Sequence, residues 1–229
     1  MRKYMTFAIM TILILSCDKK KEQYNIVGQI DNCNHGDSII LAYSPNGVVL
    51  EEISRSAIKD GKFAFNGYID NSEIAYICYD ENSNDICSMF FLEKGDTKVI
   101  IDSTKCLVQG TTLNNLSNAI DDSIRHYISR LEIIEEQYYS DSLSDEEFAR
   151  LGAEGFNLQE RLVDYLRKTV QENIGNLLGL YMLVVYNDFF TSEELSELIA
   201  QIPSTSIDKK NNPLYDIIIG VAQERKAWE

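Results

Sequence analysis

The chain has 229 residues, of which 45% are hydrophobic, enough to bury a sizeable core in one domain or two small ones. Its 36 acidic side chains outnumber 21 basic ones, giving a formal net charge of −15 at pH 7. Such a surface repels phosphate backbones and carries no basic patch to offset the repulsion, so nucleic acid is excluded as an expected partner.

The first element in chain order is a secretory signal. Arg2 and Lys3 form a basic start, an apolar run extends from Phe7 to Leu15, and Ser16-Cys17 gives way to the polar Asp18-Lys19-Lys20-Lys21-Glu22. The run is well short of the roughly 20 apolar residues that a membrane span needs. Ile14-Leu15-Ser16-Cys17 resembles the lipobox of bacterial lipoproteins, which implies a lipidated Cys17 as the first mature residue. Several acyl chains hold a protein at a membrane permanently, whereas one gives only marginal binding. Removing residues 1–16 as a signal peptide takes away Arg2 and Lys3, so 21 basic side chains become 19 against 36 acidic, net −17. Residues 17–23 are then a lipidated tether.

From Tyr24 to about Gly110 the pattern has the two-residue period of strands broken by turn signals. Tyr24, Ile26, Gly28 and Ile30 alternate with polar neighbours, Ser38 to Tyr43 forms the next strand, and Pro45-Asn46-Gly47 turns the chain. An extended stretch from Val48 to Ile58 ends at Asp60-Gly61, a hairpin signal, before Phe63, Phe65 and Tyr68. Glu73 to Tyr79 and Ile86 to Leu92 flank a polar loop, and Val99-Ile100-Ile101 and Cys106-Leu107-Val108 close the series. Turning that loop at Asn82-Ser83 sets Cys78 opposite Cys87, close enough for a disulfide if the pair is not hydrogen-bonded, while two small buried hydrophobes are the alternative. With Cys33 and Cys106, four cysteines remain after Cys17, allowing three connectivities for two bridges.

Near Thr111 the period lengthens to about 3.6. Leu116, Ile120, Ile124, Ile128, Leu131 and Ile134 or Tyr138 predict a helix over Asn114 to Tyr139. Ser144-Asp145-Glu146-Glu147 has capping-box spacing and opens a second helix through Phe148, Leu151, Leu158, Leu162, Leu166 and Val170. A uniformly apolar third segment runs from Leu177 to Phe190, Thr191-Ser192-Glu193-Glu194 caps a fourth, and Asn212-Pro213 opens a fifth towards Trp228. The predicted class is therefore α+β: an antiparallel β-sandwich or barrel-like domain over 24–111, then an all-helical bundle domain over 112–229.

No catalytic constellation, metal cluster or cofactor motif emerges from the residues. His35, in Asn32-Cys33-Asn34-His35-Gly36-Asp37, sits in what reads as a polar turn. His126 reads as an exposed helix residue beside Arg125. Asp80, Glu81, Asn82, Asn84 and Asp85 supply oxygen donors without the EF-hand spacing. Tyr138, Tyr139, Tyr181 and Tyr186 are candidates for a recognition groove, or for core.

Four motifs in order, Gly28-Gln29-Ile30, Asp60 to Gly67, Phe91-Leu92-Glu93-Lys94-Gly95 and Gly110-Thr111-Thr112-Leu113-Asn114, carry a further resemblance. They resemble the N-terminal domain of unknown function in envelope lipoproteins of the thioredoxin-like, peroxiredoxin-related thiol-disulfide oxidoreductases. In that family a thioredoxin-fold domain follows and its Cys-x-x-Cys motif performs the redox chemistry. Here Ala227-Trp228-Glu229 falls about where that domain would begin, and no cysteine matches the catalytic pair, so the activity is not expected to carry over. The expectation is a non-enzymatic binding or scaffold lipoprotein of the cell envelope, extracytoplasmic and lipid-anchored to the inner or outer membrane, with an envelope protein as partner. The alternatives are an accessory acting in trans with a thioredoxin-fold enzyme and an enzyme of unrecognised type.

Overall fold

A computed structural model describes residues 22–31, 33, 37–44, 49–81, 84–139, 143–204, 207, 209 and 212–228, with the backbone alone at 80, 81 and 84–86. Cys17, His35 and the turn at 45–47 lie outside the described residues.

Among the described residues eight strands make two four-stranded sheets. They are β1 (Glu22–Ile30), β2 (Ser38–Tyr43), β3 (Glu51–Ala57), β4 (Lys62–Ile69), β5 (Glu73–Glu81), β6 (Asn84–Leu92), β7 (Gly95–Ile101) and β8 (Cys106–Gln109). The first sheet has the order β4-β1-β7-β8 and the second β3-β2-β5-β6. The pairings are antiparallel except one, β1 with β7, which runs parallel from Tyr24↔Gly95 to Ile30↔Ile101. A parallel pair needs a long crossover, and here the second sheet lies within that connection. Because β1 begins at Glu22, the ordered body takes in the last residues assigned above to the tether.

Alternation decides which face goes inside. Tyr24, Ile26 and Ile30, Phe63, Phe65 and Ile69, and Val99 and Val108 turn inward from the first sheet. They meet Ile39 and Leu41, Ala75, Ile77 and Tyr79, and Phe90 and Leu92 from the second. The other face of the first sheet is wet, with Val27 and Tyr68 more than half exposed. At the corner between sheets, Asp60 (φ 52°) and Gly61 (φ 71°) both occupy the left-handed region, as a two-residue type I′ turn requires, and Lys59 and Lys62 exchange backbone hydrogen bonds of 2.9 Å across it. Gly28 faces Phe63 across the β1–β4 ladder, and Tyr24 faces Gly67. A Cβ on Gly28 would fall 2.1 Å from Phe63 Cζ, and one on Gly67 2.5 Å from the Tyr24 hydroxyl, so each ring lies over a glycine. Thr97 is 1% exposed in this core and its hydroxyl has no hydrogen-bond partner among the described residues. An isosteric methyl in its place removes the cost of a buried polar group, so Thr97→Val is expected to stabilise the protein by about 1 kcal/mol, read as a rise in Tm of about 2–4 °C.

The helices are α1 (Thr112–Tyr138), α2 (Asp145–Asn173), α3 (Leu177–Val185), α4 (Ser192–Gln201) and α5 (Pro213–Trp228), with a 3₁₀ turn at Asn187–Phe189 ending the apolar third segment. Ser144 and Thr191 form full capping boxes with Glu147 and Glu194. The stripe of α1 differs in one place from its sequence reading. Ile128 is 44% exposed, because steps of four drift round the helix by about 40° each and the core runs instead through Tyr127 and Leu131. Among the described residues no helix is long and apolar enough to cross a membrane.

The helical layer packs on the outer face of the second sheet rather than standing apart. Phe91 of β6 is a full member of the helical core, 1% exposed, and Ile74 of β5 packs against it. Asn114, in the first turn of α1 and 3% exposed, accepts the Phe91 N–H at 3.0 Å and donates to the Phe91 carbonyl at 2.6 Å. Glu93 accepts the N–H of Leu113 at 2.8 Å, placing negative charge at the positive end of α1.

Candidate functional site

Residues of β5 and β6 that do not enter the sandwich share its other face, Ile74, Tyr76 and Cys78, and Cys87, Met89 and Phe91, and the helices cover that face at Ile74 and Phe91. Where the starts of α3 and α5 meet this face they do not fill it, and a cavity of about 280 Å³ remains. Ile74, Leu177, Pro213 and Leu214 supply its apolar wall, and Tyr43, Tyr76 and Glu73 its polar side. The Tyr43 hydroxyl donates to Glu51 at 2.8 Å, and that bond, before any other cause, raises its pKa above the ordinary value. Glu73 stands at the rim, exposed as a residue, yet partial desolvation of its carboxyl, reinforced by Asp70, raises its pKa too. Deeper along the seam, Tyr181 packs edge-on to Phe91 with centroids 5.8 Å apart. Its phenol is pushed up by burial first and then by Asp121, Tyr186 and Tyr76. Chemically the arrangement is a small hollow with one carboxylate and two tyrosines, suited to recognition.

Cys78 and Cys87 are directly opposed in the β5–β6 register and joined by a disulfide. The bridge closes a sequence separation of 9, which by chain entropy stabilises the fold by about 2.5 kcal/mol. Cys33 and Cys106 are free, and burial raises the Cys106 thiol above its usual pKa, against a hydrogen bond with Ser88, which leaves it a poor nucleophile. His126 is exposed on α1 and lines an open groove between α1 and α2 with Arg130, Arg150 and Arg161. The four tyrosines do not share one groove. Tyr138 and Tyr139 are at the far end of the α1–α2 hairpin, Tyr138 stacking on Phe148 at 4.2 Å, whereas Tyr181 and Tyr186 lie at the sheet junction near Asp121. Side chains at 80–86, the oxygen-rich loop included, lie outside the described residues. Among the described residues no three His, Cys, Asp or Glu side chains are grouped to hold a metal.

Sequence reasoning passed over Tyr43, Glu73 and Tyr76. Each reads as an ordinary strand residue, and the cavity exists only because 43–44, 72–76, 177 and 212–214 converge.

Residues 24–116 match the family model described as Domain of unknown function (DUF4369). The matched segment covers both sheets and ends within the first turns of α1, so it includes the Asn114 clip. No curated protein matches the chain.

Proposed function

We propose that the protein is an envelope lipoprotein anchored through an acylated Cys17, and that its folded body is a non-catalytic binding or scaffold module recognising its partner at the junction cavity. The observation that carries this reading is the cavity. It is concave, mainly apolar, furnished with few polar groups and set where two structural layers meet, the usual setting of small-ligand sites. At about 280 Å³ it falls just below the usual span of such sites, about 300 to 1,000 Å³, and suits a small molecule or one projecting side chain. The anchor rests on Arg2 and Lys3, the apolar run to Leu15 and the lipobox-like end at Cys17.

The test uses the full chain expressed in a bacterial envelope, with palmitate labelling and cross-linking capture. Label is expected on the wild type and absent from Cys17→Ala. Leu214→Trp, which fills the hollow from its wall, is expected to reduce capture of the bound partner by about tenfold or more. An unlabelled product with Cys17 intact removes the anchor, and undiminished capture by Leu214→Trp removes the cavity.

A second reading is favoured by the four ordered motifs together with the matching family model over 24–116: the module serves in trans as accessory to a thioredoxin-fold thiol-disulfide oxidoreductase. Such an enzyme among the captured proteins supports it, and its consistent absence there argues against it.

A further inference from the structure

The charge of the junction has one predominant sign. Ser72 and Glu73 also border an adjoining hollow of about 500 Å³, on the side of β1 and α1, to which Glu22, Asp70, Glu93 and Lys94 contribute. Lys94 is engaged by Glu22 at 2.8 Å, and Glu93 by the backbone of α1. The carboxylates of Asp70 and Glu73 make neither an ion pair nor a hydrogen bond among the described residues. Among the described residues no Lys, Arg or His lines the smaller cavity. The start of α5 also faces it but offers an anion little, because Pro213 has no N–H and Asn212 accepts the one from Leu214 at 3.0 Å. A negative focus beside apolar side chains, with two electron-rich tyrosine rings in the same wall, selects a cation that carries a hydrocarbon body.

We propose that this cleft binds an alkylammonium group, its nitrogen at Glu73 beside Tyr43 and Tyr76 and its carbon chain against Ile74, Leu177 and Leu214. The assignment rests on the cavity being the recognition site. An ammonium placed there offsets the partial desolvation of Glu73, whereas a carboxylate of the same length meets Glu73 and Asp70. A free amine and the lysine side chain of a partner present the same group.

The experiment compares hexylammonium, hexanol and hexanoate binding to the full chain by calorimetry and NMR, with the peptide Gly-Lys-Gly as competitor. Hexylammonium is expected to bind at least about tenfold more tightly than hexanol, and hexanoate not at all. Glu73→Gln is expected to remove that preference while leaving hexanol binding intact, which also reports that the variant is folded. Glu52→Gln, an exposed partner of Arg55 outside the cavity, is expected to change nothing. Displacement by Gly-Lys-Gly assigns the group to a peptide side chain, and no displacement assigns it to a free amine. Equal binding of hexanol and hexylammonium, or an unaltered preference in Glu73→Gln, overturns the cation assignment but leaves the cavity as a site. Binding of none of the three probes overturns both.

Discussion

Phe91→Ala is expected to cost about 3–5 kcal/mol, the range for truncating a fully buried aromatic side chain. Phe91 is a strand residue whose ring belongs to the helical core: it is 1% exposed, clusters with residues of α1, α2 and α3, and meets Tyr181 edge-on at 5.8 Å. Its removal leaves a void at the point where sheet and helices are joined, with helical side chains on one side and the β-ladder backbone on the other, so little collapse is available to fill it. Urea unfolding should show the loss as a lowered midpoint at unchanged slope. A loss below about 1 kcal/mol means that the helical layer is not held by this contact.

Asn114→Leu is expected to cost about 2–5 kcal/mol although it keeps the number and branching of the side-chain heavy atoms and adds apolar surface. The Asn114 amide satisfies both backbone groups of Phe91, at 3.0 and 2.6 Å, and its nitrogen also reaches the Thr111 hydroxyl at 2.7 Å. Leucine leaves a buried N–H and a buried C=O without partners, and each such group costs about 1–3 kcal/mol. Asn114→Asp should not rescue stability, because an ionised carboxylate accepts the N–H but cannot donate to the carbonyl. Hydrogen exchange at the Phe91 amide reads the effect directly: fast in Asn114→Leu, slow in the wild type. Equal protection in both would show that the amide–backbone clip contributes nothing.

Much of the fold was legible because its causes are local. Inward alternation at Tyr24, Ile26 and Ile30 and at Phe63 and Phe65, the Asp60-Gly61 turn, and the capping pairs Ser144/Glu147 and Thr191/Glu194 all lie within a few residues of what they specify. Equal sequence spacing about positions 82 and 83 likewise set Cys78 opposite Cys87, as the strand register has them. Other features depend on distant partners. The parallel β1–β7 pair joins residues about 70 apart, and nothing near Tyr24 or Gly95 announces it. Asn114 reads as a helix-start residue, and its bond to the backbone of Phe91 depends on how α1 docks. The cavity is least legible, since Tyr43, Glu73, Leu177 and Leu214 come from four segments and define a site only by what they leave unfilled.

The rings lying over Gly28 and Gly67 have a consequence for strand alignment. Inside–outside patterning forbids sliding β1 past β4 by one residue, since that turns every apolar side chain to solvent, but it is blind to a slide of two. After a two-residue slide Phe63 would oppose Ile26 or Ile30, and Tyr24 would oppose Phe65 or Ile69, so each ring would meet a bulky neighbour where it now meets bare backbone. The two glycine–aromatic pairs therefore act as a key that only one alignment fits, removing a degeneracy that hydrophobic pattern alone leaves open.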